Sequence, residues 1–271
     1  MKFSSSQRIT VNGVAVAANG KAELYEWSDD SWLKLFNPSV ADSAIDTELR
    51  KMAIVKSLGV YVPDFQHRIV EDVRSGRKGY FQKKVAANSL FELLEKNPFR
   101  FREYCKVLAS VHSDCHQIKA SEWLPCQIED ICRRIITIRD LSVDLRKKLI
   151  KLAESMPIGD RLCHGDLTPK TVLYSDQECY ATEWRDVRKG NPLCDIARTS
   201  LILSSSGCAG SWLHRAYGKL LGSCYLNAYT RLANKQLHSS EFRKWIRVNA
   251  AYRLGDKISD KEKLFMLKLI S

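Results

Sequence analysis

Near Ser89 the apolar residues change their spacing, and few folds accommodate what lies on both sides of that change. Before it the chain reads as short strands and turns. Arg8–Val11, Gly13–Ala17, Glu23–Trp27 and Trp32–Phe36 are β-rich runs. Asn19-Gly20, between the second and third of them, is a hairpin signal. A helix is expected from a cap at Asp42 or Ser43 to about Leu58, stopped by Gly59. Phe65–Val70 and Gly79–Lys84 form a second expected hairpin around Ser75-Gly76. After Ser89, apolar residues recur every three or four positions: Phe101, Tyr104, Leu108, Val111 and Cys115, then Ile128, Ile131, Ile135 and Ile138. Helices are expected again over Leu193–Leu203, Trp212–Leu232, Glu241–Leu254 and Lys261–Ile270. The expectation is an α+β chain: a small antiparallel β-sheet lobe with one helix over 1–85, then a larger, mainly α-helical lobe over 86–271.

Composition narrows the classes. The chain has 271 residues, 45% hydrophobic and 27% charged, which suits a globular protein and excludes a disordered or low-complexity one. No window approaches the ~18 consecutive apolar residues of a membrane helix. The opening Met1-Lys2-Phe3-Ser4 lacks the apolar run of a secretory signal, so the nine cysteines read as reduced thiols and a cytoplasmic location is expected. No CxxC pair occurs, which removes the zinc-ribbon and thioredoxin readings. With 43 Lys+Arg against 31 Asp+Glu the net charge is +12, which favours a neutral or anionic partner over a polycation. No RNA-binding aromatic motif or zinc finger is present, so nucleic acid is not an expected partner.

One segment has a composition that packing does not explain: Leu162-Cys163-His164-Gly165-Asp166-Leu167-Thr168-Pro169-Lys170-Thr171-Val172-Leu173. A polar loop between apolar anchors is where catalytic groups tend to sit. A second carboxylate, Glu183, falls in the expected strand Cys179–Trp184, opposite Val172–Tyr174. Adjacent strands would bring Asp166, Thr171 and Glu183 within reach of one oxygen-liganded cation, a donor set that suits magnesium. His112 and His116 stand at i and i+4 and resemble half of a zinc site, but Ser113 occupies the place where the metalloprotease pattern needs Glu. A core or loop-bracing role is expected for them instead. Cys163, on an apolar strand position, is expected to be buried and inert.

His164-Gly165-Asp166, the downstream Glu183-Trp184, and Gly190-Asn191-Pro192-Leu193-Cys194-Asp195-Ile196-Ala197 together resemble the signature of the aminoglycoside phosphotransferase and choline kinase superfamily. Leu108-Ala109-Ser110-Val111-His112 and Ala250-Ala251-Tyr252-Arg253-Leu254 resemble two of its helices, so the likeness spans nearly the whole chain. The resemblance implies a bilobal, protein-kinase-like fold and transfer of the γ-phosphate of ATP or GTP, with Mg2+, to a hydroxyl of a small molecule. It implies Asp166 as catalytic base, Thr171 and Glu183 as metal ligands, and His164 and Asp195 as supports of the catalytic loop. Lys34 resembles the strand lysine that holds nucleotide phosphates, and Glu48 its ion-pair partner. Asn19 and Gly20 would cover the phosphates, while Gln82 and Lys84 would lie in the connector at the adenine edge. The pattern departs from the family at Thr171, where it has Asn, and at Glu183, where it has Asp. Thr168 and Lys170 replace its usual His and Gly, and Asn191 an Asp. The alternative is therefore a nucleotide-binding pseudokinase, or a kinase-shaped binding protein for an acidic partner. The acceptor would be chosen by Trp123–Arg139 and Trp212–Tyr229.

Overall fold

Alternation in Leu33-Lys34-Leu35 organises the N-terminal sheet: Leu33 and Leu35 are buried with Ile9, Val70 and Phe81, and Lys34 turns to the other face. In the computed structural model, which describes residues 7–18, 21–175, 178–207, 210–234 and 239–271, contacts divide the chain between Ala87 and Asn88. The first unit holds β1 (Gln7–Ile9), β2 (Ala17–Ala18), β3 (Ala22–Ser28), β4 (Ser31–Phe36), α1 (Asp42–Ser57), β5 (Val70–Asp72) and β6 (Lys78–Lys83). Its six-stranded sheet has the order β1-β5-β6-β4-β3-β2. The pairs are antiparallel except β1 with β5, which is parallel, so the expected wholly antiparallel sheet is corrected at one edge. A parallel pair needs a long connection, and β2 to α1 supply it. Asp72 secures that edge by accepting the Val11 N–H at 3.0 Å.

Several expected boundaries move: the strand expected over Arg8–Val11 ends at Ile9, and the one expected over Gly13–Ala17 is reduced to Ala17–Ala18. Asp42 and Ser43 are not caps: Ala41 holds the N-cap position without a side-chain bond, and Asp42 sits in the first turn, where the helix dipole favours a carboxylate. The helix stops as expected, with Gly59 at φ 81° beyond Leu58. The strand expected over Phe65–Val70 starts only at Val70, and Phe65 makes a single bridge to Gln82. The Asn19-Gly20 turn lies outside the described residues.

The second unit opens with β7 (Asn88–Ser89) and α2 (Leu90–Lys96), where Ser89 and Glu92 form a reciprocal capping box. There follow α3 (Phe101–Gln117), α4 (Gln127–Thr137), α5 (Val143–Glu154), β8 (Arg161–Cys163), β9 (Val172–Tyr174), β10 (Cys179–Ala181) and β11 (Arg188–Gly190). The last four helices are α6 (Pro192–Ser205), α7 (Trp212–Leu232), α8 (Ser239–Arg253) and α9 (Asp260–Ile270). One core joins Ile128, Ile131, Ile135 and Leu149 to Trp245, Val248, Met266 and Ile270. Two small sheets, β10-β9-β7 and β11-β8, hold the two ends of the polar loop between β8 and β9. Among the described residues no helix is long and apolar enough to cross a membrane.

The register of α4 is testable at two adjacent residues. Ile135 is fully buried and Ile136 is 57% exposed. Ile135→Ala is expected to cost about 2–5 kcal/mol in urea unfolding, and Ile136→Ala to stay within about 0.5 kcal/mol of the parent.

Candidate active site

A buried carboxylate fixes the backbone of the polar loop. Asp195, on the first turns of α6, is 1% exposed. Its Oδ2 accepts the His164 N–H at 2.7 Å and its Oδ1 accepts the Gly165 N–H at 2.9 Å. His112 and His116, one turn apart on α3, aim their Nε2 atoms at the same Oδ2, at 2.8 and 3.4 Å. A carboxylate only accepts, so each Nε2 carries the proton. On the far side of each ring, Nδ1 meets a tyrosine hydroxyl of α7: Tyr225 at 2.5 Å and Tyr229 at 2.7 Å. These histidines and Asp195 are close enough to be a metal ligand set, yet every nitrogen already has a partner and their work here is bracing.

His164 uses both ring nitrogens internally. Nε2 donates to the Thr182 carbonyl at 2.9 Å, and Nδ1 accepts the Asp166 N–H at 3.3 Å. Burial pushes its pKa down, which keeps this neutral form. The ring also lies 4.6 Å from the ring of buried Trp184. At Gly165 the backbone has φ 80°, and a Cβ would come within 2.1 Å of the Asp186 carbonyl oxygen, so no side chain fits. Thr199 donates to the Leu167 carbonyl and the Phe91 N–H to that of Pro169.

On this fixed loop Asp166 remains part-exposed, its side chain 31% accessible. Arg198 Nη2 donates to Asp166 Oδ1 at 2.8 Å, and Oδ2 has no partner among the described residues. The hydroxyl of Thr171 accepts the Thr168 N–H at 2.9 Å and donates toward the carbonyls of Thr168 and Asp166. That leaves one acceptor position on the oxygen. Glu183 does not lie in a strand, which corrects the expectation. β10 ends at Ala181, and Glu183 takes a left-handed conformation at φ 62° before the short 3-10 turn Trp184–Asp186. The all-oxygen donors of Thr171 and Glu183 fit a hard divalent cation. Lys170 lies over the Phe91 ring at 4.6 Å.

In the N-terminal unit Lys34 is 4% exposed and its Nζ donates to Glu48 Oε1 at 2.8 Å. The Tyr80 hydroxyl donates to the same oxygen, also at 2.8 Å. Asn19 and Gly20 lie outside the described residues. Gln82 departs from the expected connector position, whereas Lys84 follows the end of β6 in the segment before β7. Gln82 lies within β6 between Trp32 of β4 and the Phe65 bridge. Lys84 donates its N–H to the Asp30 carbonyl, pairs with Glu26 and lies 4.6 Å over the Trp32 ring. β6 ends at Lys83, so the strand expected over Gly79–Lys84 claims Gln82 and leaves Lys84 beyond it.

Sequence reasoning did not single out Arg198, Asp256, Tyr225 or Tyr229. A signal for Arg198 existed: in Pro192–Ser205 it and Asp195 are the two charged residues, on a helix otherwise apolar or small. Its partners come from the loop after β8, from α8 and from the turn after α8, which no local pattern reveals.

Burial by itself would raise the carboxyl pKa values of Asp186, Asp195 and Asp256, but facing donors hold all three down. The partners responsible are Arg185 and Arg188 for Asp186, the Nε2–H donors of His112 and His116 for Asp195, and Arg198 and Arg134 for Asp256. A lowered folded-state pKa stabilises the fold above the unfolded value and is lost as pH falls. Stability is therefore expected to decline below about 6.5 through His164 and to steepen below about 4 through the carboxylates. Asp195→Asn is expected to cost about 3–5 kcal/mol at neutral pH and to flatten the steep acid limb in denaturant titrations from pH 3 to 8.

Compared by sequence, the chain matches no protein-family model and no curated protein. Solved structures do match it. Amicoumacin kinase hAmiN, in complex with AMP-PNP, Ca2+ and Ami, aligns over 94% of this chain and 85% of its own, with TM-score 0.62 and 14% identity. A thermostable mutant of aminoglycoside phosphotransferase APH(4)-Ia, bound to AMP-PNP and hygromycin B, aligns over 92% of each chain, with TM-score 0.59 and 14% identity. A choline/ethanolamine kinase family protein from Mesorhizobium loti covers 96% of this chain and 88% of its own, with TM-score 0.57 and 12% identity. The chain has the α+β fold that aminoglycoside phosphotransferases and choline/ethanolamine kinases share.

Proposed function

We propose that the chain is a phosphotransferase that moves the γ-phosphate of ATP or GTP to a hydroxyl of a small molecule. The observation that carries this reading is Asp166: a part-exposed carboxylate with one oxygen engaged and one open, on a loop whose backbone a buried charge holds still. The fold shared with small-molecule kinases supports it.

Phosphoryl transfer asks a protein mainly for positioning and charge. Asp166 Oδ2 would accept the hydrogen bond of the acceptor hydroxyl and take its proton as the oxygen bonds to the γ-phosphorus. The bond from that phosphorus to the bridging oxygen breaks, and the nucleoside diphosphate leaves. Lys34, held by Glu48, would balance phosphate charge. Glu183 and Thr171 would hold Mg2+, which supplies further positive charge at the phosphates when bound. The +12 net charge supports a neutral or anionic acceptor. The described cysteines are free thiols, which supports a reducing, cytoplasmic setting. A second reading, nucleotide binding without transfer, is favoured by the Thr171 hydroxyl, one of whose two lone pairs is taken by the Thr168 N–H.

Thermal unfolding with ATP or GTP, each with and without Mg2+, separates these readings. A nucleotide at about a hundred times its Kd should add about 2.7 kcal/mol, and the gain should depend on Mg2+. Lys34→Met is expected to abolish the gain. Asp166→Asn should retain it while phosphate transfer to the best acceptor of a hydroxyl-compound screen falls about 10²–10⁴-fold. Stabilisation without transfer or hydrolysis would select the second reading, and no effect of either nucleotide would sink both.

A further inference from the structure

We infer that Arg198 is the positioning residue of Asp166, setting the plane of its carboxylate so that Oδ2 is the oxygen offered to an acceptor hydroxyl. The inference rests on the phosphotransferase reading for its consequence, and on geometry for its substance.

Asp195 and Arg198 stand three residues apart on α6, so they share a side of the helix. The first pins the loop's backbone and the second its carboxylate. Arg198 is 5% exposed, and its Nη2 bridges Asp166 Oδ1 at 2.8 Å and Asp256 Oδ2 at 3.3 Å. Its guanidinium carbon lies 4.7 Å from the centre of the Tyr252 ring. Asp256 is anchored in turn by Arg134 and by Arg253 Nη1 at 3.0 Å. Arg198 therefore cannot swing without breaking contacts on three sides. Burial by itself pushes its pKa down, but the facing carboxylates of Asp166 and Asp256 more than offset this and hold the guanidinium charged.

Stability does not account for this arrangement. Arg198 Nε and Nη1 are buried with no hydrogen-bond partner among the described residues. Orphaned buried donors are costly, and buried ion pairs seldom repay their desolvation. An apolar side chain would serve α6 better as a core element, while Asp256 would keep Arg134 and Arg253. What the guanidinium secures is the orientation of one part-exposed carboxylate. An aspartate fixed at one oxygen loses its freedom to rotate, which is worth rate in a reaction that depends on alignment.

The test uses the full chain with Arg198→Met, Arg198→Lys and Asp256→Asn, read by steady-state kinetics and by crystal structures of the parent and Arg198→Met. Arg198→Met is expected to fold, to keep KM for the nucleotide within about threefold, and to lose about a hundredfold in kcat. Arg198→Lys should recover about tenfold of that loss, and Asp256→Asn, which loosens the far anchor, should fall between them and the parent. In the crystal the Asp166 carboxylate should leave its place in Arg198→Met. A kcat unchanged in Arg198→Met overturns the inference, and a kcat that rises shows a clamp that restrains Asp166 instead. Should Arg198→Met fail to fold, an unchanged kcat in both Arg198→Lys and Asp256→Asn overturns it. Should the parent transfer phosphate to no acceptor and not to water, the phosphotransferase reading falls. The Asp166 orientation in the two crystals then decides the positioning inference by itself.

Discussion

The carboxylate of Asp195 is the interaction on which the second unit depends. It sits at 1% exposure and accepts from two imidazoles and two consecutive backbone amides. Those donors come from α3 and from the loop after β8, and α7 closes the network through Tyr225 and Tyr229. A charge this deep is tolerated because four donors converge on it, three at Oδ2 and one at Oδ1, and displacing any of them would weaken its compensation in a low dielectric. That makes the loop backbone rigid without a single covalent tie. His164 extends the arrangement by spending Nδ1 on the Asp166 N–H and Nε2 on the Thr182 carbonyl beyond β10, so its ring braces the loop.

The net charge of +12 describes the surface, whereas the chemistry sits in buried pairs of opposite sign. Lys34 meets Glu48 behind the N-terminal sheet, with Tyr80 on the same carboxylate oxygen. Arg198 joins Asp166 to Asp256 on the other unit. Pairs like these add little to stability once desolvation is counted. What they provide is fixed direction: a lysine ammonium on one strand and a carboxylate on one loop, each with its rotamer decided by a neighbour.

Much of this was legible in the chain. The switch in apolar spacing near Ser89 marks the change from sheet to helices, and α7 spans the expected Trp212–Leu232. Asp166 and His164 could be picked out because polar residues between apolar anchors have no packing role there, and Asp195 through the resemblance of Gly190–Ala197 to a family pattern. The misplacements share one cause. Glu183 was expected inside a strand, yet a left-handed residue breaks it after Ala181. Gln82 was expected at a connector, yet pairing with Trp32 and Phe65 holds it inside β6. The parallel pairing of β1 with β5 likewise has no signature in either strand. Strand ends are set by neighbours across the sheet, and alternation within a strand does not encode them.

The sequence by itself determined the elements whose causes are local: amphipathic helices, the Ser89–Glu92 capping box, the stop at Gly59 and the polar loop with its glycine. These follow from backbone sterics, side-chain hydrogen bonds to nearby amides, and the burial of one helix face. Only the tertiary structure decided which residues hold which. Asp195 meets His112 across 83 positions of chain, and Arg198 meets Asp256 across 58. Such contacts are made by whichever elements the core brings together, so the partner of a buried charge is a property of the fold and not of its neighbours in sequence.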